Sequence, residues 1–373
     1  MGEVASNFEY GLNASAKEFD GKNKYIRITD IDDESRMFLS DDITSPDTDL
    51  TLADKFKLEA GDILFARTGA SVGKTYLYRE KDGLVYYAGF LIRAKINSEN
   101  DAEFVFQNTL TDSYNSFIRI TSQRSGQPGV NAQEYQGYNF YVPNLEEQKA
   151  IGTYFRNLDN LITLHQHKYD KLIQFKAAML KKMFPQNGAN KPEIRFKGFT
   201  DAWEQRKVQD VADRFDNLRI PVAANLRVHG TTPYYGANGI QDYVEGFTHD
   251  GEFVLVAEDG ANDLKNYPVK CVNGRIWVNN HAHVLQGKAG IADNSFLAFA
   301  ISQSDIESLL VGGGRAKLNA ETLMSIEFRL PCLQEQYRIG EYLTQLDHLI
   351  TLHQHKCNKY KSIKAGLIRK LFP

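Results

Sequence analysis

A 43-residue segment occurs twice in this chain, once near the middle and once at the C-terminus. The copies are residues 143–185 (PNLEEQKAIGTYFRNLDNLITLHQHKYDKLIQFKAAMLKKMFP) and 331–373 (PCLQEQYRIGEYLTQLDHLITLHQHKCNKYKSIKAGLIRKLFP), and both contain the run ITLHQHK. The stretches that precede the two copies are, by contrast, almost unrelated to each other. A repeated frame that holds two different modules predicts one protein that recognises two different things at a fixed separation.

Each copy has the apolar periodicity of a long α-helix. Apolar residues step by four and three through both copies, which predicts a coiled-coil seam. Asn144 and Glu147 form a predicted capping box, and Pro185 and Pro373 are predicted to end the helices. At about 1.5 Å per residue, each helix would be about 60 Å long. The predicted seam residues are Ile151, Leu158, Ile162, His165, Tyr169 and Leu172 in the first copy and Ile339, Leu346, Ile350, His353, Cys357 and Tyr360 in the second.

So narrow an apolar stripe needs a partner, and the other copy of the repeat is the obvious one. We therefore predict an antiparallel helix pair with a pseudo-two-fold arrangement, in which His165 and His353 meet near the axis. The alternative is that each helix packs separately on its own module. The repeated HQHK is not expected to bind a metal ion, because residues two apart do not share a helix face.

A module rich in predicted strands precedes each helix. The first module contains KYIRITDI, GDILFART, KTYLYRE and LVYYAGFLIRAKI, and the second contains GEFVLVAED, YPVKCV, GRIWVNN and HAHVLQG, separated by Gly, Asp and Asn turns. Short helices are predicted near residues 102–118 and 295–310. The sequence thus predicts an α+β protein, divided into target modules 1–142 and 198–330, helices 143–185 and 331–373, and a polar linker 186–197.

Composition excludes several classes of protein. The 373 residues, 42% hydrophobic and 24% charged, are typical of a soluble protein with about two or three domains. No run approaches the roughly 20 apolar residues of a membrane span, and the polar start MGEVASNFEYG is not a signal peptide. Three scattered cysteines favour a reducing cytoplasm over a disulfide framework. The net charge of -3 does not by itself indicate nucleic-acid binding, although Lys and Arg cluster within 168–182 and 356–370.

Gly-rich segments are candidate contacts to a phosphate backbone. Residues 69–75 (GASVGKT) resemble a phosphate loop, but Thr68 stands where the motif requires Gly, and a strand-like segment follows. We therefore predict contacts to nucleic acid from backbone amides and Lys74 rather than nucleotide hydrolysis. Residues 124–131 (RSGQPGVN) and 312–319 (GGGRAKLN) precede the two helices at equivalent places. The alternative for each segment is an ordinary solvent-exposed turn or loop.

Aromatic and amide side chains are candidate contacts to base edges. Residues 234–239 (YYGANG), with Asn262 and Lys265, offer such groups, and the alternative is buried tyrosines with a turn asparagine. The predicted DNA contacts are Arg67, Ser71, Lys74, Thr75, Arg124, Gln127 and Asn131 in the first module and Tyr235, Asn238, Asn262, Lys265, Arg315 and Lys317 in the second.

We find no recognisable catalytic motif in the sequence. The tetrad of amino-methyltransferases, a paired-carboxylate nuclease site and GxSxG are all missing, and His281 and His283 lack a nucleophile. We therefore predict a protein that is not an enzyme on its own. A self-sufficient DNA methyltransferase or nuclease, and a protein-binding adaptor, are the alternatives.

Together these features resemble the specificity subunit of type I restriction–modification systems. The motifs that carry the resemblance are PxLxEQ followed by Ile-Gly at 143–152 and 331–340, LEAGDILFARTGASVGKT at 58–75, PYYGANGIQDYV at 233–244 and RFKGFTDAWEQRKV at 195–208. The resemblance covers nearly the whole chain. It implies two target-recognition domains that each recognise one half of a bipartite, asymmetric DNA site, and repeated helices that set the spacer and dock modification subunits.

The resemblance also implies where the catalytic steps take place. Adenine methylation by S-adenosylmethionine and ATP- and Mg²⁺-dependent cleavage would reside in partner subunits, namely two modification subunits and the restriction subunits. This chain itself would hold no cofactor.

One departure from the family pattern concerns residues 195–208, which we call the lead-in segment. It precedes the second module, but no counterpart precedes the first, because Gly2–Ala5 aligns with Gln209–Ala212. We therefore expect an N-terminus that is shorter than the family pattern by one lead-in segment. Since the family resemblance implies that this region helps to close a ring-like arrangement, closure is in doubt.

Overall fold

The computed structural model describes residues 1–39, 41–186, 188–312 and 316–372. The chain forms two compact units. Unit 1 contains Met1–Gln166 together with the residues from Gln354 onward, and unit 2 contains His167–His353. The boundary between the units therefore falls in the middle of each repeated helix.

Unit 1 contains two four-stranded sheets and three short helices. One sheet has the strand order β1-β8-β5-β6 and is antiparallel, and the other has the order β2-β4-β3-β7. Every residue of β5, including Asp62, is buried, and the strand lies between β8 and β6 inside its sheet. The elements are β1 (Ala5–Tyr10), β2 (Ser15–Glu18), β3 (Lys24–Ile26), β4 (Thr44–Asp47), β5 (Asp62–Ala66), β6 (Thr75–Leu77), β7 (Val85–Tyr87), β8 (Leu91–Ile96), α1 (Ala102–Asn108), α2 (Asp112–Thr121), α3 (Ala132–Gln136) and the first half of α4 (Leu145–Met183).

Unit 2 contains a six-stranded sheet and a two-stranded sheet. The larger sheet has the order β10-β15-β13-β14-β11-β12, with β11 parallel to β14, and the smaller pairs β16 with β9. The elements are β9 (Glu204–Lys207), α5 (Val208–Val211), β10 (Ala212–Arg214), β11 (His229–Gly236), β12 (Gly239–Val244), β13 (His249–Ala257), β14 (Val269–Val278), β15 (Ala282–Gly287), α6 (Asn294–Ser302), α7 (Ala320–Ser325), β16 (Glu327–Leu330) and the first half of α8 (Leu333–Leu371).

One predicted strand boundary in unit 2 was wrong. The segments YPVKCV and GRIWVNN belong to a single strand, β14, because the turn signal Asn273-Gly274 lies inside it. Gly274 has φ +94 and pairs with Gly251 of β13, which has φ +141. Two facing glycines adopt a backbone conformation that other residues avoid, so the ladder continues through the distortion.

The two repeated helices have 39 residues each and lie within the predicted bounds. Asn144 caps α4 by accepting a hydrogen bond from the backbone N–H of Glu147 at 3.0 Å, which is one half of the predicted capping box. All twelve predicted seam residues are buried or half-buried. No helix in the described ranges is long and apolar enough to cross a membrane.

Within each unit, the two repeated helices pair with opposite directions. In unit 1 the N-terminal half of α4 contacts the C-terminal half of α8, where His165 stacks on Tyr360 with ring centroids 5.6 Å apart. In unit 2 the C-terminal half of α4 contacts the N-terminal half of α8, where Lys176 Nζ lies 2.5 Å from Asp347 Oδ1. The predicted antiparallel pair is therefore confirmed, and separate packing of the helices is wrong.

Equivalent residues of the two copies make equivalent ion pairs. The contact between Lys176 and Asp347 in unit 2 is repeated in unit 1 by Lys364 and Asp159, whose charged atoms lie 2.7 Å apart. Each pair joins the late half of one copy to the early half of the other. The internal repeat of the sequence thus becomes a repeat of contacts.

Each helix also holds its own module through the same glutamine. Gln148 accepts a hydrogen bond from the backbone N–H of Asp101 in unit 1, and Gln336 accepts one from Asp293 in unit 2, both at 3.0 Å. Both aspartates are N-cap residues, of α1 and α6 respectively. The repeated Glu-Gln motif therefore fixes the start of a module helix against the start of a long helix.

Candidate DNA interface

In unit 1, the loop after the central strand β5 pairs with the loop before α3. Thr68 forms an isolated antiparallel bridge with Gly129, and the N–H of Val130 donates to the carbonyl oxygen of Arg67 at 2.9 Å. The N–H of Gly69 donates to the carbonyl oxygen of Pro128 at 3.0 Å. The structure thus brings the two Gly-rich segments that were predicted from the first module, 69–75 and 124–131, into one surface.

Unit 2 has the same arrangement after its own central strand, β13. Asp259 forms an antiparallel bridge with Lys317, and the N–H of Leu318 donates to the carbonyl oxygen of Glu258 at 2.7 Å. Lys317 takes the place of Gly129, since each lies 14 residues before the proline that begins its repeat copy. The loops before the two long helices therefore occupy equivalent positions in their units.

Arg67 is the centre of the unit 1 surface. Its guanidinium carbon lies 5.1 Å from the ring centroid of Tyr10 and 5.7 Å from that of Phe90, whose side chains are 44% and 56% exposed. The buried Nε of Arg67 has no hydrogen-bond partner among the described residues. A cation held between two exposed rings is a preoriented donor, and aromatic faces also suit contact with bases. The predicted residue Gln127 lies beside this group, exposed, against Gly69.

Two residues of the phosphate-loop-like segment are inside unit 1 rather than on its surface. Lys74 is 7% exposed, and its ammonium group donates to the carbonyl oxygen of Ile31 at 3.0 Å and pairs with Asp33 at 2.6 Å. Thr75 is 1% exposed and hydrogen-bonds Thr109. This geometry favours a structural role for both over the predicted contact with phosphate.

The other predicted residues of unit 1 have local hydrogen bonds. Ser71 is half-buried in the turn before β6, a strand rather than the helix that a phosphate loop requires. Arg124 donates to the carbonyl oxygens of Thr121 and Gln123 and pairs with Glu134 at 2.5 Å, with 40% of its side chain exposed. Asn131 caps α3. Arg124 and Asn131 border the surface around Arg67.

In unit 2, the hairpin turn between β11 and β12 is bound to the loop after β13. The side-chain amide of Asn238 donates to the carbonyl oxygen of Gly260 at 2.9 Å and accepts from the backbone N–H of Asn262 at 2.8 Å. The structure therefore brings these two predicted asparagines together. Lys265 is exposed on the same loop. Tyr235 is 7% exposed, and burial raises the pKa of its hydroxyl, so this residue fits the alternative of a core tyrosine.

An ion-pair network lies beneath Lys317. Glu258 binds Arg219 at 2.7 Å and Lys317 at 2.8 Å, while Nδ1 of His283 lies 2.7 Å from Asp216. Burial alone would raise the pKa values of Glu258 and Asp216, but hydrogen bonds from these partners lower both. Lys317 keeps 46% of its side chain exposed.

Asp216, Glu258 and His283 are close enough together to suggest a metal site. The lone pairs that a metal ion would need are used instead by the arginine, the lysine and a backbone N–H, so the geometry favours an ion-pair network. The sequence does not predict this network, because its members come from four separate segments between Asp216 and Lys317 and no motif links them. The predicted residue Arg315 lies outside the described residues.

The two surfaces offer different donors and acceptors at the same topological place. Unit 1 presents a ring-flanked arginine with an exposed glutamine, and unit 2 presents two asparagines with a lysine. Amide side chains can form paired hydrogen bonds with base edges, whereas Lys and Arg also bind phosphate. The two surfaces therefore differ in the side-chain groups that they present.

The chain is similar to known proteins in sequence and in fold. The profile of the type I restriction modification DNA specificity domain matches residues 2–174 and 200–361. A putative type I restriction enzyme specificity subunit of Haemophilus influenzae is 44% identical over 146 residues, which are 39% of this chain and 38% of that relative. The MjaVIII specificity subunit of Methanocaldococcus jannaschii is 21% identical, over 83% of this chain and 78% of its own length.

A solved structure has the same fold. The S subunit of a type I restriction–modification system from M. genitalium superposes with a TM-score of 0.73 at 13% identity, over 98% of this chain and 93% of that one. The profile covers most of both modules and both helices. The chain therefore belongs to the type I restriction modification DNA specificity family.

Proposed function

We propose that each unit recognises one half of a bipartite, asymmetric DNA site, and that the paired helices set the spacer between the halves. The observation that carries the proposal is the pairing of the loop after the central strand with the loop before the long helix, at the same place in both units. Because the side chains on these paired loops differ, the two half-sites should differ in sequence.

Partner subunits supply the chemistry in this proposal. Two modification subunits would methylate adenine with S-adenosylmethionine, and restriction subunits would cleave DNA with ATP and Mg²⁺. The relatives from Haemophilus influenzae and Methanocaldococcus jannaschii are named as restriction-enzyme specificity subunits, which supports a role inside such a complex. The three cysteines are free thiols, in keeping with the proposed cytoplasmic location.

The half-site assignment can be tested with two single substitutions. We expect Arg67→Ala to weaken recognition of one half-site only and Lys317→Ala to weaken recognition of the other only, because the residues lie in different units. Each change should reduce affinity by roughly tenfold, the effect of losing about 1–2 kcal/mol of DNA contact. Gel shifts on duplexes with one randomised half-site, in the presence of the modification subunit, measure this.

A matched control for these substitutions is Arg275→Ala, an exposed arginine on β14 that pairs with Asp250. We expect it to leave both half-sites intact. The assignment of one half-site to each unit fails if Arg67→Ala and Lys317→Ala weaken recognition of the same half-site. It also fails if neither substitution weakens recognition of either half-site.

The spacer assignment rests on the continuity of both helices through both units. Inserting seven residues after Gln166 and seven after Gln354, which are equivalent positions, keeps the seam in register and lengthens each helix by about 10 Å. We expect the spacer to grow by about three base pairs at 3.4 Å each, with unchanged half-sites. Methylome sequencing of a host that carries the altered system measures the spacer. An unchanged spacer would refute the role of the helices.

A further inference from the structure

Three neighbouring strand ends of unit 1 bring Arg67 and two aromatic rings together. Tyr10 ends β1, Phe90 directly precedes β8, and Arg67 directly follows β5. These strands lie side by side in the order β1-β8-β5, and the N–H of Arg67 donates to the carbonyl oxygen of Phe90 at 3.1 Å. The sheet therefore fixes the backbone of the arginine relative to the backbones that carry the rings.

The protein's own contacts hold both rings in place. The hydroxyl of Tyr10 accepts a hydrogen bond from the backbone N–H of Ala132, the first residue of α3, at 3.3 Å. A Cβ on Gly11 would lie 2.2 Å from the carbonyl oxygen of Ala88, so the two segments that carry the rings are in close contact. Both rings nevertheless remain exposed. The guanidinium between them is therefore preoriented at the surface of unit 1.

Unit 2 has the same backbone contact but the opposite charge at this place. The N–H of Glu258 donates to the carbonyl oxygen of His281 at 2.9 Å, which is the bond that Arg67 makes in unit 1. Glu258 therefore occupies the position of Arg67 and is paired there with two cations. Phosphates are alike in every stretch of duplex, whereas bases differ. A position whose charge is reversed between the units is thus better suited to a base than to a phosphate.

The donors that Arg67 has left match one base in particular. Its Nε is buried and has no hydrogen-bond partner among the described residues, so the two terminal amino groups are the donors that remain for a ligand. Two such donors match O6 and N7 of guanine in the major groove. A phosphate-binding surface would need further cations, but Lys74 and Arg124 are each paired with a carboxylate.

We propose that Arg67 recognises a guanine in the half-site of unit 1, and that Tyr10 and Phe90 are positioning residues that hold its guanidinium for this contact. The inference rests on the proposed function, because it assigns a base to the surface that unit 1 presents to DNA. The planar fork of an arginine can bind O6 and N7 together, and the rings restrict the directions in which the fork can point. A lysine at the same place would keep the charge but lose the paired contact.

A guanine analogue tests the proposal. The chain is assembled with the modification subunit of its own system, and the half-site that Arg67→Ala weakens is taken as that of unit 1. Each guanine of that half-site is replaced in turn by 7-deazaguanine, which lacks the N7 acceptor but still pairs with cytosine. We call the ratio of the two DNA affinities, measured by fluorescence anisotropy, the guanine preference. We expect a preference of about tenfold at one position for the unsubstituted chain and none there for Arg67→Ala.

Conservative substitutions separate positioning from mere stability. Arg67→Lys should lose the guanine preference while binding to unrelated DNA stays the same, because the charge is kept. Tyr10→Leu and Phe90→Leu should each reduce the preference by about threefold, because a ring that orients the guanidinium is lost. The matched control is Tyr141→Leu, which removes another exposed ring of unit 1 and should leave the preference unchanged. Thermal melting verifies that each variant is folded.

The outcomes distinguish this inference from the proposed function. A half-site of unit 1 in which no replacement weakens binding, or which contains no guanine, overturns the guanine assignment but leaves the half-site assignment standing. An unchanged preference in Arg67→Lys does the same, because a single ammonium group would then suffice. If Arg67→Ala weakens neither half-site, the proposed function of this surface fails and the guanine assignment fails with it. An unchanged preference in both leucine variants refutes the positioning role of the rings.

Discussion

The two units hold their helices in the same way but present different surfaces around their central strands. Gln148 and Gln336 make the same hydrogen bond to an N-cap aspartate at the same distance. By contrast, Arg67 lies between two aromatic rings in unit 1, whereas unit 2 has Glu258 bound to two cations at the equivalent place. The repeated residues fix how each long helix packs on its module, whereas the loops of the two modules differ. Different loops are what the proposed recognition of an asymmetric target requires.

Two glycines of the repeat give the strongest test of whether both long helices pack on their modules in the same way. A Cβ on Gly152 would lie 2.3 Å from Asp101 Oδ1, and one on Gly340 would lie 2.7 Å from Asp293 Oδ1. We expect Gly152→Ala and Gly340→Ala each to destabilise the chain by about 1–3 kcal/mol, because the new methyl group displaces an N-cap. Urea denaturation followed by circular dichroism measures the loss.

Gly366→Ala is the control for both substitutions. Gly366 lies in α8 with open space around it, so alanine should stabilise the helix by roughly 1 kcal/mol. If Gly152→Ala lowers the free energy of unfolding and Gly340→Ala does not, the two long helices do not pack on their modules in the same way. The contacts between helix and module would then not be equivalent in the two units.

His249 lies in the module of unit 2, and its protonation should have a smaller effect on stability. Its ring nitrogens contact the Thr248 hydroxyl at 2.7 Å and the Phe215 carbonyl oxygen at 3.1 Å, and the residue is 2% exposed. Burial lowers the pKa of the imidazole, although the Phe215 carbonyl and the charge of Asp216 oppose this. Below about pH 6.5 the unfolded histidine binds a proton that the folded one does not, so stability should fall as the pH decreases.

The slope from one histidine cannot exceed about 1.4 kcal/mol per pH unit. We expect His249→Gln to flatten the decline in unfolding free energy between pH 7.5 and the folded pKa of the histidine, measured by urea denaturation at several pH values. An equally steep decline in the variant would show that other groups cause the acid sensitivity.

Local patterns were sufficient to predict the long helices and half of the strands in the described ranges. A seam stepping by four and three identified both helices, since helical periodicity is a property of the sequence itself. The predicted break within β14 failed because whether Asn273-Gly274 forms a turn depends on Gly251, a residue of the neighbouring strand. The hairpin of β11 and β12 was not predicted as strands, although its Asn238-Gly239 pair is a turn signal.

Some of the predicted site residues are buried and others are exposed, and the spacing of residues in the sequence does not reveal which. The glycine spacing singled out Lys74 and Thr75 as readily as Gln127, yet the first two are buried and the third is exposed. Arg219 and Glu258 were not predicted, because an ion pair between residues 39 positions apart depends on how the chain folds back. The DNA contacts at Arg67, Asn238, Asn262 and Lys317 stay predictions on surfaces that the structure has located.

The sequence by itself determined the repeat, and with it the antiparallel helix pair and the division into two dissimilar modules, because heptad spacing and internal identity are readable without coordinates. Only the tertiary structure decided which loops share a surface and which charged groups are already paired. It also decided that Glu335 is covered while Glu147 is exposed. Burial and pairing are relations between distant segments, and so the same motif can have different surroundings in its two copies.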